Sequence, residues 1–242
     1  MTTPPVDESM SPKNQIGPFR LSFSQERMWF LDQLEDESSH TYHVHMGCEL
    51  TGNLDIGALK KAILTIINRH EILRAKVLSN NGVPYQVCDE ISNWQLIQYD
   101  LSSSFKGGQA LDLESLKKTI IDEPFNLAAD SLIRTNLIKL DHDKYILIFI
   151  LHHIITDGWS MGVLSHEFSV LYSAYSQGKD DPLEPLPIQY VDYAEWQRDY
   201  LQGDLLAQHR EYWRTQLCDL PVLSLPFDRQ RPRLQSYEGT TL

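Results

Sequence analysis

The sequence predicts an α/β fold in which a mixed β-sheet packs against helices, and two neighbouring segments carry that prediction. Residues 145–151 form an unbroken apolar run of strand length, rich in branched and aromatic side chains, which is typical of a strand buried on both faces. After a short polar loop, apolar residues recur at helical spacing from Trp159 onwards. A strand, a loop and a helix therefore follow one another, and the 242-residue chain is long enough to bury a core around them.

The remaining elements follow from the same two periodicities and from turn residues. Ser22 or Ser24 can cap a helix that places Met28, Leu31 and Leu34 on one face. Alternating and apolar runs predict strands at 41–51, 72–78, 83–88, 94–101 and 131–140. Helical spacing predicts helices at 54–69, 111–121, 159–176, 188–201 and 204–217. The Asn-Asn-Gly sequence at 80–82 predicts the turn of a hairpin.

Composition limits the classes of partner. The formal net charge is -12, from 33 acidic and 21 basic residues, and no block of Lys or Arg stands out, which argues against nucleic acid or an anionic membrane as the main partner. No apolar run approaches the length of a membrane span, and the N terminus lacks the basic and apolar regions of a signal peptide. We therefore expect a cytoplasmic protein that binds soluble partners.

Two further expectations come from the cysteines and the N terminus. Cys48, Cys88 and Cys218 are odd in number and widely spaced, so they indicate neither a disulfide framework nor a CxxC site. Residues 1–18 are polar and contain several prolines, which is typical of a flexible leader. Order is expected to begin near Phe19.

The sequence His-His-Ile-Ile-Thr-Asp-Gly-Trp-Ser at 152–160 is the main candidate site. Imidazole is the side chain best suited to moving a proton near neutral pH. Successive strand residues face opposite sides of a sheet, so one of His152 and His153 is expected to be structural and the other functional. The motif offers too few ligands for zinc, and we expect no metal. Asp157 could act as a base, but a carboxylate at a turn favours a scaffold role.

Four segments in chain order, at 21–31, 69–74, 152–160 and 190–196, together resemble the condensation domains of nonribosomal peptide synthetases. The segments read LSFSQERMWFL, RHEILR, HHIITDGWS and YVDYAEW. The resemblance implies a chloramphenicol-acetyltransferase-like fold with two lobes and about twice this length. It assigns residues 19–218 to the N-terminal lobe and 219–242 to an extended crossover towards a C-terminal lobe, which this chain is expected to lack.

The resemblance also implies a reaction, in which the amine of one carrier-bound aminoacyl group attacks the thioester of another and forms an amide. His153 matches the family's catalytic position, as a base or as a positioning group. Gly158 matches the small residue whose backbone N–H lies near the reacting carbonyl. His152 and Asp157 are implied to be structural, with Asp157 paired to a buried arginine for which Arg69, Arg74 and Arg134 are the candidates.

No cofactor is expected on the chain itself, because the phosphopantetheine arms would come from donor and acceptor carrier domains. An adenylation domain and the C-terminal lobe are the other expected partners. The opening motif most resembles the subtype that joins an L-configured donor to an L-configured acceptor. One lobe by itself is expected to be inactive. Two alternatives remain: a stand-alone acyltransferase with the same His motif, and a carrier-binding module without catalysis.

Overall fold

The computed structural model describes residues 17–34, 41–90, 93–102, 110–224 and 226, and for residues 110–112 it describes the backbone alone. Most of the predicted leader 1–18 and of the predicted crossover 219–242 lies outside the described residues. The chain divides into two compact units, with the boundary between Arg198 and Asp199.

Strands and helices are interspersed along the chain, as the sequence predicts. They are β1 (Phe19–Arg20), α1 (Phe23–Leu34), β2 (His43–Thr51), α2 (Ile56–Arg69), β3 (Ala75–Asn80), β4 (Val83–Cys88), β5 (Leu96–Asp100), α3 (Ala110–Asp122), β6 (Ile133–Asp141), β7 (Lys144–His152), α4 (Gly158–Tyr175), α5 (Tyr190–Tyr200) and α6 (Gly203–Gln216). A 3-10 turn, Glu71–Arg74, joins α2 to β3.

The main sheet has the strand order β2-β7-β6-β5 and is mixed, since β5 and β6 run parallel while the other pairs run antiparallel. Seven consecutive residues of β7, 146–152, are buried, because the strand is central and covered on both faces. A smaller sheet, β1-β4-β3, contains the predicted hairpin. Its turn uses Asn81 and Gly82 with φ of 51° and 79°, the left-handed conformation that this pair of residues accepts readily. The predicted mixed sheet and helices are confirmed.

Helices cover both faces of the main sheet. On one face, the ring of Phe149 in β7 meets Phe168 in α4 at 5.7 Å between centroids, and α2 packs against α4. On the other face, α3 lies over β2, where the carbonyl of Ile121 is 2.6 Å from Nδ1 of His43. Adjacent residues of β7 therefore enter two different environments.

The sequence of α2 shows why a helix forms and which side it buries. Asp55 caps the helix by accepting a hydrogen bond from the N–H of Ala58 at 2.9 Å. Its apolar residues at helical spacing, Leu59, Ile63, Ile66 and Ile67, are all at most 1% exposed. This buried face holds the end of α2, and hence Arg69 and His70, in a fixed place.

In the second unit, α6 begins at Gly203, whose φ of 56° lies in the left-handed region that favours glycine. Its side chains Tyr212 and Trp213 contact each other edge-to-face. Across the described part of the chain, none of the helices has both the length and the apolar character needed to span a membrane.

Candidate functional site

The loop between β7 and α4 places the histidine motif at an edge of the main sheet. β7 ends at His152, and α4 begins at Gly158. Asp157 is the N-cap of α4, because its Oδ1 accepts hydrogen bonds from the N–H of Ser160 at 2.8 Å and from its hydroxyl at 2.6 Å. These two bonds are the main reason that the pKa of Asp157 lies below its usual value. The loop is therefore anchored by a strand at one end and a capped helix at the other.

His153 is exposed, and one of its ring nitrogens is already engaged. Nδ1 lies 2.8 Å from the carbonyl oxygen of Thr156, so this nitrogen carries the proton and donates it to the carbonyl. The backbone N–H of His153 donates to the carbonyl of Tyr42 at 2.8 Å, which continues the pairing of β7 with β2. The neutral ring is left with an unprotonated Nε2, which can accept a hydrogen bond or a proton.

His152 has the opposite environment, since it is only 3% exposed. Its Nδ1 accepts a hydrogen bond from the N–H of Ile154 at 3.1 Å, which places the proton on Nε2. The rings of Phe125 and His43 lie 6.2 and 6.4 Å from it. Burial, with smaller contributions from His43 and His153, lowers the pKa of His152 to about 4. The residue is therefore neutral at pH 7 and part of the core.

A cavity of about 830 Å³ opens beside the loop, and His153 lines it while His152 does not. The helices α1, α2 and α4 contribute the apolar residues Met28, Ile66 and Leu164 to its wall. Its polar residues include Gln25, His70, Gln189 and Tyr190. Trp159, at the first turn of α4, also lines the cavity and is 83% exposed. The cavity thus combines an apolar wall with a few polar groups, which is usual for a ligand site.

Gly158 is the first residue of α4. The cavity wall includes its neighbours Asp157 and Trp159 on either side. The first N–H groups of a helix have no partner within it and carry partial positive charge. A Cβ built on Gly158 would meet no atom within 4 Å, so the space beside its backbone is open. This helix end is suited to stabilising an oxyanion.

The prediction of an ion pair between Asp157 and Arg69, Arg74 or Arg134 is wrong. As an N-cap, Asp157 turns its carboxylate towards the backbone of α4, and Ser160 satisfies it there. Arg69 instead contacts Glu167 of α4, with 3.1 Å between Nε and Oε1.

The other two arginines also have different partners. Arg74 donates from Nε to the carbonyl of Ile67 at 3.3 Å and also binds the carbonyl of Asp89. Arg134 pairs with Glu123 at 3.0 Å and stacks over the ring of Phe125. Arg69, Arg74 and Arg134 therefore stabilise separate parts of the fold, and none of them holds the aspartate of the loop.

Sequence reasoning missed a second polar cluster around Glu167. This carboxylate is 6% exposed and binds Arg69 through one oxygen and His70 through the other. A signal was present, because Glu167 falls among Leu164, Leu171 and Ala174 on the buried side of α4. A carboxylate at such a position requires a partner.

Within the described ranges, no cluster of three or more His, Cys, Asp or Glu side chains is arranged to hold a metal ion. A second cavity, of about 530 Å³, lies on the other face of the main sheet between α3 and the edge strand β2. It is separate from His153.

Comparisons with known proteins place the chain in a family. Residues 15–242 match the family model described as condensation domain. The chain is 38% identical over 222 residues to bacitracin synthase 3 of Bacillus licheniformis, covering 91% of this chain and 3% of that protein. It is 38% identical over 232 residues to malpinin synthetase of Mortierella alpina, covering 96% of this chain and 3% of that protein.

Two solved structures superpose on this chain and share its fold. The X-domain from teicoplanin biosynthesis superposes with a TM-score of 0.79 at 26% identity, covering 93% of this chain and 49% of that one. The starter condensation domain of rhizomide synthetase gives a TM-score of 0.74 at 19% identity, covering 85% and 49%, and this match concerns the fold alone. The chain thus spans about half the length of these structures and a few per cent of the curated relatives. It belongs to the condensation domain family of nonribosomal peptide synthetases.

Proposed function

We propose that this chain carries the histidine motif of a site that forms an amide bond between two carrier-bound substrates. One observation carries the proposal: His153 lines the cavity with Nδ1 bound to the Thr156 carbonyl, and among the described residues none is hydrogen-bonded to Nε2. A ring held in this way can interact with a substrate through only one nitrogen. Membership of the condensation domain family supplies the reaction class.

The reaction joins an α-amine to a thioester carbonyl carbon. The ammonium of the acceptor loses a proton, its nitrogen attacks the carbonyl carbon of the donor, and a tetrahedral oxyanion forms. As the intermediate collapses, the C–S bond breaks, the nitrogen loses its second proton to become the amide nitrogen, and the leaving thiolate takes up that proton. His153 Nε2 accepts a hydrogen bond from the attacking amine throughout. The same contact is needed whether His153 acts as a base or only positions the amine.

The residues around His153 support this role in different ways. At the N-terminus of α4, the backbone N–H of Gly158 is offered to the oxyanion, whereas the N–H groups of Trp159 and Ser160 are bound to Asp157. Asp157 holds that helix end and the loop together through its cap. His152 stays neutral on the other face of the sheet, where its ring fills the core.

The substrates would arrive on phosphopantetheine arms of donor and acceptor carrier domains, activated by an adenylation domain. The synthase and synthetase relatives, of which this chain spans a few per cent, support such a multidomain setting. A C-terminal lobe would supply the rest of the site, since related structures are about twice as long. The L-to-L subtype remains part of this proposal and rests on the opening motif alone.

The test measures amide formation in a two-lobed condensation domain that carries this chain. Donor-loaded and acceptor-loaded carrier proteins are mixed with it, and the product is quantified by mass spectrometry. His153→Ala should lower the rate by about 10²-fold or more, because a positioned acid–base group contributes about that much. His166→Ala, at an exposed site on α4, is the matched control and should leave the rate unchanged. A normal rate in His153→Ala would contradict the proposed role.

A further inference from the structure

A second histidine, His70, lines the same cavity as His153. It is the C-terminal cap of α2, and its backbone N–H donates to the carbonyl of Ile66. Its side chain is 22% exposed. The backbone of His70 therefore belongs to the end of α2, while its partly exposed side chain borders the cavity.

The imidazole of His70 is held by a buried carboxylate. Its Nε2 lies 2.7 Å from Oε2 of Glu167, whose other oxygen is 3.1 Å from Nε of Arg69. An ionised carboxylate only accepts hydrogen bonds, so Nε2 of the neutral ring carries the proton. Nδ1 then has a free lone pair, and no described residue forms a hydrogen bond with it. This arrangement repeats, on a different element, the single free nitrogen of His153.

The backbone on both sides of His70 is held by one amide side chain. Oε1 of Gln189 accepts from the N–H of Glu71 at 3.0 Å, and Nε2 of Gln189 donates to the carbonyl of Arg69 at 3.0 Å. The N–H of Gln189 in turn donates to the buried carboxylate of Asp192 at 2.7 Å. Three separate segments therefore determine where the ring of His70 lies.

A purely structural role, in which Glu167 ties the end of α2 to α4, explains the hydrogen bond of Nε2. It does not explain why a residue that lines the cavity has an unused lone pair on Nδ1. We infer that His70 binds the acceptor substrate, with Nδ1 accepting a hydrogen bond from the α-amine of that substrate. The inference rests on the proposed function. The ammonium is the strongest donor among the reactants, because charge-assisted hydrogen bonds exceed neutral ones. A carboxylate bonded to the far nitrogen orients an imidazole for this kind of contact.

Two probes separate the amine from the rest of the substrate. The first is alanyl-pantetheine with an amide in place of the thioester, and the second is the corresponding propionyl compound, which lacks the amine. Nuclear magnetic resonance of the two-lobed domain that carries this chain, labelled with 15N-histidine, reports both rings, with signals assigned from His70→Gln and His153→Ala. We expect His70 to be protonated at Nε2 alone. We expect the alanyl probe, and not the propionyl probe, to shift its Nδ1.

Affinity then tests whether the contact matters. His70→Gln keeps a side-chain N–H that can donate to Glu167 and removes the acceptor at the Nδ1 position, because the amide oxygen of Gln is bonded one carbon further along the side chain. It should weaken binding of the alanyl probe by about tenfold or more, the range for a hydrogen bond to a charged group. It should leave the propionyl probe nearly unaffected.

Equal losses for both probes, or a His70 ring protonated at Nδ1, would overturn the inference. Shifts at His153 without shifts at His70 would also overturn it while leaving the cavity as a substrate site. Shifts at neither ring would count against the proposed function as well.

Discussion

Burial of His152 should make the fold sensitive to mild acid. Desolvation lowers its pKa from 6.5 to about 4, and His43 and His153 add to the effect. The carboxylate of Asp32 in α1, at 3.9 Å from Nε2, acts in the opposite direction, yet burial outweighs it. The unfolded chain therefore binds a proton at this residue at a higher pH than the folded chain does.

The sign and size of the effect follow from this difference. Well above pH 6.5, His152 is neutral in both the folded and the unfolded state, so it does not change the free energy of unfolding. Between pH 6.5 and about 4 the unfolded state takes up the proton first, so stability falls as the pH falls. Linkage over this window predicts that His152 lowers the free energy of unfolding by about 2 kcal/mol between pH 7 and pH 5.

The assay is urea denaturation of the chain at pH 7 and pH 5, followed by circular dichroism. His152→Asn keeps an acceptor near the position of Nδ1 for the Ile154 N–H and cannot titrate. It should lose less stability between the two pH values than the unmodified chain, by about 2 kcal/mol. His166→Asn, at an exposed site, is the control and should behave like the unmodified chain. Equal pH dependence in all three proteins would refute the assignment of His152 as a buried neutral histidine.

Two further predictions concern the loop and the first turn of α4. Asp157→Ala should lower the free energy of unfolding by about 1 kcal/mol in urea denaturation, whereas Asp157→Asn should cost little because Asn caps a helix equally well; equal losses would show that the charge matters more than the cap. Gly158→Ala should leave stability within about 0.5 kcal/mol, since its Cβ meets no atom within 4 Å. The same variant should slow amide formation by about 10²-fold in the two-lobed domain, because the methyl group would displace the reacting carbonyl, and an unchanged rate would contradict the role of this helix end.

The elements that the sequence predicts well are those with strong local signals. The apolar run at 145–151 lies within β7, and the periodic residues of α2 form its buried face. β1 was not predicted, because two residues have no periodicity and their partner, β4, lies far along the chain. Local pattern cannot specify a pairing whose stability comes from distant residues.

In the candidate site, too, the features with a local sequence signal are predictable, and the contacts between distant residues are not. The motif at 152–160 points to the loop, and the alternation of a strand separates its two histidines. The partner of Asp157 was predicted from a family resemblance, although Asp157 and Ser160 already have the spacing of a cap and the N–H that it binds. The contacts of Glu167 with Arg69 and His70 join residues almost a hundred positions apart, so only the fold reveals them.

The opposite properties of His152 and His153 come from the alternation of side chains along β7, whose register is set by β2 on one side and β6 on the other. His43 of β2 stands opposite His152, and the N–H of His153 binds the carbonyl of Tyr42 just beyond. Because side chains alternate across a sheet, a slip of β7 by one residue against both of its neighbours, β2 and β6, would turn His152 towards the cavity and His153 into the core. The apolar face of β2, which includes Met46 and Cys48, opposes such a slip by packing into the core. The position of the His153 imidazole thus depends in part on the packing of a strand that carries none of the motif.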